Sequence, residues 1–233
     1  MIPLRDENPT RRFPVVTVAL IAVNCLAFLY ELALPPATRA DLVMVRGLVP
    51  ALVWNLPALG PAFAVPVGAS VFTSMFLHGD ILHLLGNMLF LWVFGDNVED
   101  RMGRGRFIVF YLVCGMAAAA TQVAAMPGSR VPMIGASGAI SGVLGAYMLL
   151  FPRARVLTLV PIFIFIQFMR LPAVFVLGIW FLYQVLLSFA AGSGGGVAWF
   201  AHIGGFIAGV VLLAAFLPRR PPPVRVARGP GWI

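Results

Sequence analysis

The sequence is poor in charge and contains no lysine. Only 10% of its 233 residues are charged, against about 25% in an average soluble domain, and 61% are hydrophobic. The net charge of +8 therefore comes from arginine alone, and the arginines fall between apolar runs and in the tails. This distribution argues against a nucleic-acid-binding protein and is typical of the charges that set the orientation of a membrane protein.

Cysteine is also scarce. Cys25 and Cys114 each lie inside an apolar segment, where packing in the core is an ordinary role for a free thiol. The sequence therefore gives no support for a disulfide framework.

Long apolar runs, in contrast, fill most of the chain. A membrane-spanning helix needs about 20 predominantly apolar residues. Six segments reach or approach that length, at about residues 13–34, 81–95, 107–126, 133–151, 171–190 and 198–217. We predict an all-α, polytopic membrane protein whose membrane domain of six transmembrane helices covers residues 13–217. Residues 1–12 are predicted to be a cytoplasmic segment, and the Pro/Arg-rich residues 218–233 a disordered cytoplasmic tail.

Two further apolar stretches are not predicted to cross the membrane. Residues 48–70 contain six prolines and glycines, and a lipid-exposed helix cannot satisfy its backbone with so many breakers. We predict an interfacial loop there. Residues 156–169 contain Pro161 and stop at Arg170, which indicates a connector that dips into the inner interface.

The arginines support this choice of spans. With the N-terminus inside, the outer side keeps only Arg39, Arg46 and Arg130, while most other arginines fall on the inner side. An additional span would move several of them to the translocated side, against the positive-inside bias. Both termini are therefore predicted to be cytoplasmic.

Few polar side chains occur within the predicted spans, and each needs a reason because even one charge at the centre of a span costs about 2.5–3.5 kcal/mol. They are His83, Asn87, Gln122, Ser137, Ser141 and His202. The second, fourth and sixth helices of this topology all begin at the outer face. Since His83, Ser137 and His202 each lie within a few residues of such a beginning, we expect them at a similar depth.

The fourth and sixth helices also share a property that lets them approach each other closely. On the fourth helix, one arc holds only small residues, at positions Ser137, Gly138, Ser141, Gly142 and Gly145. On the sixth, His202, Gly205 and Gly209 share a face. Small residues allow helix backbones to come together in lipid, so we predict packing through Gly138, Gly142, Gly205 and Gly209, with Ser137 and His202 within reach of each other.

A serine beside a histidine is the minimal arrangement for nucleophilic catalysis, because a neutral imidazole can accept the proton of an otherwise weak nucleophile. An acyl-transfer site also needs hydrogen-bond donors for the oxyanion. His83 and Asn87 lie at i and i+4 on one helix face, and the backbone N–H of Ser137 lies near a helix start, where amides lack internal partners. His78 is interpreted as an ordinary interface histidine.

These residues resemble the motifs of the rhomboid family over about residues 13–217. The matching motifs are His83-x-x-x-Asn87, Glu99-x-x-x-Gly103, Gly135-Ala-Ser137-Gly138 and Ala201-His202-x-x-Gly205-x-x-x-Gly209. The resemblance implies a serine endopeptidase that cuts transmembrane segments of other proteins near the outer membrane face. Its catalytic residues would be Ser137 as nucleophile and His202 as base, acting as a dyad without a carboxylate. His83, Asn87 and the Ser137 amide would be the oxyanion donors.

The same resemblance implies that the partners are transmembrane protein substrates and the lipid bilayer and that no cofactor is needed. From the charge distribution and the scattered histidines, we expect no nucleic-acid partner and no metal. The absence of lysine and the abundance of arginine, alanine and proline favour a bacterial plasma membrane. Two departures from the family pattern stand out. Ser141 occupies a position where many members carry an aromatic residue that stacks on the histidine, and Trp54-Asn55 replaces a Trp-Arg pair in the first outer loop.

Other functional classes fit less well. A zinc protease would need a pattern such as His-Glu-x-x-His, but Leu84 follows His83. An aspartyl protease would need two aspartates within the membrane, but Asp96 and Asp100 fall in the predicted cytoplasmic loop. The hydrolase pattern Gly-x-Ser-x-Gly fails at Ala139. A non-catalytic protein that binds transmembrane helices and a small-solute transporter remain the alternatives, although the repeated halves usual in transporters are absent from the sequence.

Overall fold

The protein is described here by a computed structural model, in which residues 1–54, 67–162, 165–190 and 196–218 are described. The described helices are α1 Val15–Ala33, α2 Pro36–Arg46, α3 Pro50–Trp54, α4 Val67–Thr73, α5 Ile81–Met102, α6 Arg104–Ala125, α7 Ser137–Leu150, α8 Ala173–Ala190 and α9 Trp199–Phe216, with a short 3₁₀ turn at Ser74–Phe76. The described strands are β1 Ile2–Asp6, β2 Arg155–Ile162 and β3 Phe165–Pro172.

Five of these helices, α1, α5, α6, α8 and α9, are long and apolar enough to cross a membrane. Their 18–22 residues correspond to about 27–33 Å at 1.5 Å per residue, which matches the thickness of a bilayer core. The predicted polytopic helical bundle is confirmed. The described residues do not include 55–66 or 219–233, so part of the predicted interfacial loop and almost all of the predicted tail lie outside them.

The fourth predicted span, α7, is shorter than the others and lies at the centre of the bundle. It has 14 residues, and residues 139–147 are all buried. It packs most extensively against α9, then against α6 and α5. The end of the bundle at which α5, α7 and α9 begin is called the Ser137 end below, and the opposite end is called the sheet end.

The sheet end contains a three-stranded antiparallel sheet that the sequence analysis did not predict. β2 pairs antiparallel with β3, with Arg155 opposite Pro172, and β1 pairs antiparallel with β2, with Ile2 opposite Leu159. The predicted connector over 156–169 therefore contains two paired strands, a secondary structure that the sequence analysis did not assign. This segment is rich in β-branched and aromatic residues, and Pro161 at its middle is incompatible with a helix, so the extended conformation is favoured.

Helix α5 extends beyond its predicted end at Gly95 to Met102, and Gly103 with φ +82° terminates it. Asp96 and Asp100, predicted to lie in a loop, are therefore on the last turns of this helix. The reason is visible at Glu99, which is 3% exposed. Its carboxylate accepts hydrogen bonds from the first amides of α1, at 3.0 Å and 2.8 Å, and from the Thr17 hydroxyl at 2.8 Å. A helix start lacks partners for its N–H groups and favours negative charge, so Glu99 binds α1 to α5.

Candidate active site

Ser137 is the first residue of α7, and the backbone just before it adopts a conformation that favours glycine. Gly135 has φ +116°, and its N–H donates to the carbonyl of Ser74 at 2.8 Å. A Cβ atom at this position would lie only 2.7 Å from Nε2 of His83. Glycine is therefore required at position 135 both by the backbone angle and by the available space.

The structure brings Ser137 and His202 into direct contact. Nε2 of His202, on α9, lies 2.8 Å from Oγ of Ser137. The two residues are 65 positions apart in the sequence, so only the packing of α7 against α9 brings them together. This distance is within the range required for a base to accept the proton of a nucleophile.

The close approach of α7 and α9 depends on glycine. A Cβ atom on Gly205 would lie 2.0 Å from the carbonyl oxygen of Gly138, and one on Gly209 would lie 2.0 Å from that of Gly142. Helix α6 approaches α7 just as closely, since a Cβ on Gly142 would lie 2.4 Å from Cβ of Cys114. All four glycines singled out in the sequence thus lie at tight helix crossings, where a larger residue would separate the helices.

His83 and Asn87 lie beside Gly135, close to the serine. A Cβ atom at position 135 would lie 3.5 Å from Nδ2 of Asn87 and 2.8 Å from Cε1 of His83. Both side chains therefore face the loop that leads into α7. The backbone N–H of Ser137 is at the first position of the same helix, where a helix offers no internal acceptor. His83 and Asn87 thus lie beside the residue two positions before Ser137, and all three residues line one cavity.

His78 is more closely connected to this site than an ordinary interface histidine. It is fully buried, and its Nε2 lies 3.0 Å from Nδ2 of Asn87. Burial, with a smaller contribution from His83, lowers the pKa of His78 to about 4. The neutral ring can accept one N–H of Asn87, which leaves the second N–H of that amide for another acceptor. The sequence interpretation of His78 missed this contact, because nothing in the spacing of His78 and Asn87 specifies it.

Two of the other polar residues singled out in the spans bind helix backbone. Gln122 Oε1 accepts the N–H of Ala201 at 3.2 Å and so caps the first turn of α9, one residue before the histidine. The Ser141 hydroxyl donates to the carbonyl of Ser137 at 2.6 Å. Ser141 therefore bonds within its own helix and does not take the place of an aromatic residue on His202.

The ring of His202 has other neighbours. Trp180 on α8 and Trp199 on α9 lie with ring centroids 6.0 Å away, at interplanar angles of 38° and 87°. Oε1 of Gln184, also on α8, lies 2.8 Å from Nδ1 of His202. Sequence reasoning missed Gln184, although a lone amide in an apolar span was the signal that drew attention to Gln122.

A cavity of about 640 Å³ lies at the Ser137 end, and its lining includes Ser137, His202, His83, Asn87 and Gln184. Within the described ranges, no group of three or more histidine, cysteine, aspartate or glutamate side chains is arranged to hold a metal ion. The Trp54-Asn55 departure cannot be placed, because Asn55 and the Trp54 side chain lie outside the described residues. Residues 191–195 of the glycine-rich segment before α9 also lie outside them.

The fold and the site define a class: a polytopic helical membrane protein with a serine–histidine pair near the starts of two tightly packed helices. Comparison with protein families agrees with this class. A family model described as "Rhomboid domain" matches residues 68–219. This range includes α5 to α9, both Ser137 and His202, and the residues described above that contact them. The chain belongs to the rhomboid family.

Among individual relatives, Rhomboid protein 1, mitochondrial, of Saccharomyces cerevisiae is 32% identical over 150 residues, covering 61% of this chain and 40% of that protein. Rhomboid protease GluP of Bacillus subtilis is 43% identical over 76 residues, covering 33% of this chain and 14% of that protein. Presenilin-associated rhomboid-like protein A, mitochondrial, of Danio rerio is 32% identical over 95 residues, covering 40% of this chain and 25% of that protein. The chain thus spans less than half the length of each of these relatives.

Proposed function

We propose that the protein is an intramembrane serine endopeptidase that hydrolyses peptide bonds in or near transmembrane segments of other membrane proteins. The observation that carries this proposal is the 2.8 Å contact between Nε2 of His202 and Oγ of Ser137. The name of the Bacillus subtilis relative, a rhomboid protease, supports it. A non-catalytic relative would not need to keep both members of the pair in hydrogen-bonding geometry.

The reaction would proceed in two halves. His202 accepts the hydroxyl proton while Oγ of Ser137 attacks the scissile carbonyl carbon, and the imidazolium then gives that proton to the leaving amine, which produces an acyl-enzyme. A water molecule, deprotonated by the same imidazole, attacks the ester carbonyl carbon; the bond to Oγ breaks, the acid leaves, and the imidazolium returns the proton to Oγ of Ser137. In both halves the negative oxygen would be stabilised by His83, by the second N–H of Asn87 and by the Ser137 amide.

The proposed setting follows from the positive-inside bias. With both termini in the cytoplasm, the Ser137 end faces the outer side of the membrane, which we propose to be a bacterial plasma membrane. Relatives from mitochondria and from a bacterium both match, so they do not select one compartment. Cleavage would take place a short distance below the outer surface, where α7 begins and where the cavity offers polar groups within an apolar lining.

The test is covalent labelling of the purified full chain by a fluorophosphonate probe, together with cleavage of a single-span model substrate. We expect labelling and cleavage in the wild-type protein and in Thr158→Val, which loses a buried hydroxyl at the sheet end. Ser137→Ala should show neither, and His202→Ala should label at least 10²-fold more slowly, about the contribution of a general base. Labelling that persists in Ser137→Ala would refute the nucleophile. A wild-type protein that binds the substrate but neither labels nor cuts it would favour the non-catalytic alternative.

A further inference from the structure

Gln184 is a buried amide in a predominantly apolar helix, and it contacts the candidate base at the ring nitrogen that does not face Ser137. It is 4% exposed. Its Oε1 lies 2.8 Å from Nδ1 of His202, while Nε2 of the same ring lies 2.8 Å from Oγ of Ser137. The three side chains therefore form a line of hydrogen bonds that crosses from α8 through α9 to α7.

The direction of the hydrogen bonds in this line is fixed by the other half of the Gln184 amide. Its Nε2 donates to the carbonyl of Trp180, one turn earlier on α8, at 3.3 Å. Because that carbonyl can only accept, the amide nitrogen must face it, and the amide oxygen must face His202. An amide oxygen can only accept, so Nδ1 of His202 must carry the proton. A neutral ring with its proton on Nδ1 has a free lone pair on Nε2, which is the form that can accept the hydroxyl proton of Ser137.

We propose that Gln184 is a positioning residue that holds His202 in the Nδ1-protonated tautomer and aims its Nε2 at Ser137. The proposal rests on the endopeptidase function proposed above. The hydrogen bonds of Gln184 go to His202 and to the carbonyl of Trp180, and it would act only through the imidazole. The unit at this site would then be serine, histidine and glutamine, with a neutral third member in place of a carboxylate.

The remaining neighbours of the ring do not supply this control. Trp180 and Trp199 flank it at 6.0 Å, but an indole ring face cannot select between the two nitrogens of an imidazole. Ser141 is committed to the carbonyl of Ser137. Burying an amide in a membrane helix is costly unless its polar atoms are paired, and Gln184 pairs its oxygen with the one ring atom whose protonation decides whether the base functions.

The first experiment measures cleavage kinetics for Gln184→Leu and Gln184→Glu, with rates normalised to the concentration of serine that the probe can label. General base catalysis contributes about 10²–10⁴-fold, and we expect Gln184→Leu to lose about 10–10²-fold in kcat with little change in KM. Gln184→Glu should recover most of the loss, because a carboxylate accepts the same Nδ1–H.

The matched control is Asn24→Leu on α1. Asn24 is also a buried amide whose nitrogen donates to the carbonyl four residues earlier, at 2.7 Å. Its loss should leave kcat unchanged. Two results would overturn the positioning role: a wild-type kcat in Gln184→Leu, or equal losses in the Leu and Glu variants.

The second experiment reads the tautomer directly and needs no substrate. The chain has three histidines, so ¹⁵N-histidine labelling gives few signals, and His202 is assigned by its loss in His202→Ala. We expect the proton on Nδ1 in the wild-type protein and in Gln184→Glu, and a mixture of tautomers in Gln184→Leu. A wild-type proton on Nε2 would overturn the proposal. A protein with the Nδ1 proton that never labels at Ser137 would instead overturn the endopeptidase function and leave the role of Gln184 in fixing the tautomer standing.

Discussion

Polar side chains are buried or half-buried at both ends of this bundle, but they are used differently at the two ends. At the Ser137 end, Ser137 and His202 bond to each other beside a cavity of about 640 Å³. At the sheet end, Glu99 accepts three hydrogen bonds from the start of α1, and Asp6 accepts one from Tyr147 at 2.6 Å. Glu99 and Asp6 thus pair with other elements of the fold, whereas Ser137 and His202 pair with each other and line the cavity. Substitutions that break the pairs at the sheet end should therefore change stability, and those at the Ser137–His202 pair and its proposed oxyanion donors should change activity.

The largest effect is expected from Gly135→Ala at the Ser137 end. The new methyl group would lie 2.7 Å from Nε2 of His83 and would occupy a backbone conformation with φ +116°. Displacement of one oxyanion donor commonly costs about 10²–10³-fold in kcat, and we expect a loss of that size in cleavage rate. The measurement is kcat per labelled serine, with Gly105→Ala as control, since a Cβ at Gly105 would meet nothing within 4 Å. Wild-type cleavage by Gly135→Ala would show that His83 need not lie where the structure places it.

The corresponding change at the sheet end is Glu99→Gln. It replaces one carboxylate oxygen by an NH₂ group that would face backbone donors of α1. Hydrogen bonds to charged groups contribute about 1.5–3 kcal/mol, and we expect a loss of about 2–3 kcal/mol in the free energy of unfolding. The rate of probe labelling at Ser137 in the folded fraction should stay unchanged.

The control for this change is Asp100→Asn, whose carboxylate accepts a single exposed bond from the Arg11 amide at 3.3 Å. It should alter the free energy of unfolding by less than about 0.5 kcal/mol. Unfolding is measured in mixed detergent micelles. If Glu99→Gln left the free energy of unfolding unchanged but slowed labelling at Ser137, the assignment of Glu99 to stability and not to activity would be wrong.

The two ends also differ in how far the sequence could predict them. Ser137, His202, His83 and Asn87 could be singled out because polar residues in apolar helices are rare and their positions give their depth. The contacts of Gln184 and His78 could not, because they depend on which way side chains point between helices far apart in the sequence. At the sheet end, an apolar run such as 156–169 does not distinguish a strand from an interfacial connector by its periodicity alone.

The charged end of α5 was misread for a related physical reason. The sequence predicts an end of this helix at Gly95, because burying a charge in a membrane span costs free energy and three acidic residues follow: Asp96, Glu99 and Asp100. The hydrogen bonds that Glu99 accepts from the first amides of α1 offset this cost. The sequence alone does not reveal these bonds, because they depend on how α1 packs against α5. Sequence patterns thus predict where polar groups are unusual, and the tertiary structure decides whether each one binds another helix or faces the cavity.

The smallest expected effect is the change in stability that acidification causes through one titrating group at each end. At the Ser137 end, the pKa of buried His78 is lowered from 6.5 to about 4. The unfolded chain therefore binds a proton that the folded chain rejects, so the contribution of His78 to stability is present above pH 6.5 and is lost as the pH falls towards 4. At the sheet end, burial raises the pKa of Asp6 from 3.8, although the Tyr147 hydrogen bond opposes the change. Its contribution is present at low pH and is lost as the pH rises through the raised value.

These opposite signs can be separated by measuring thermal unfolding midpoints between pH 7 and pH 4.5 for the wild-type protein, His78→Gln and Asp6→Asn. Both substitutions replace a titrating side chain with a neutral polar one. On acidification, the stability advantage of the wild-type protein over His78→Gln should shrink. Its advantage over Asp6→Asn should grow, because the folded state binds the Asp6 proton more readily than the unfolded state does. If acidification changed both differences in unfolding midpoint in the same direction, His78 or Asp6 would not have the environment that the structure gives it.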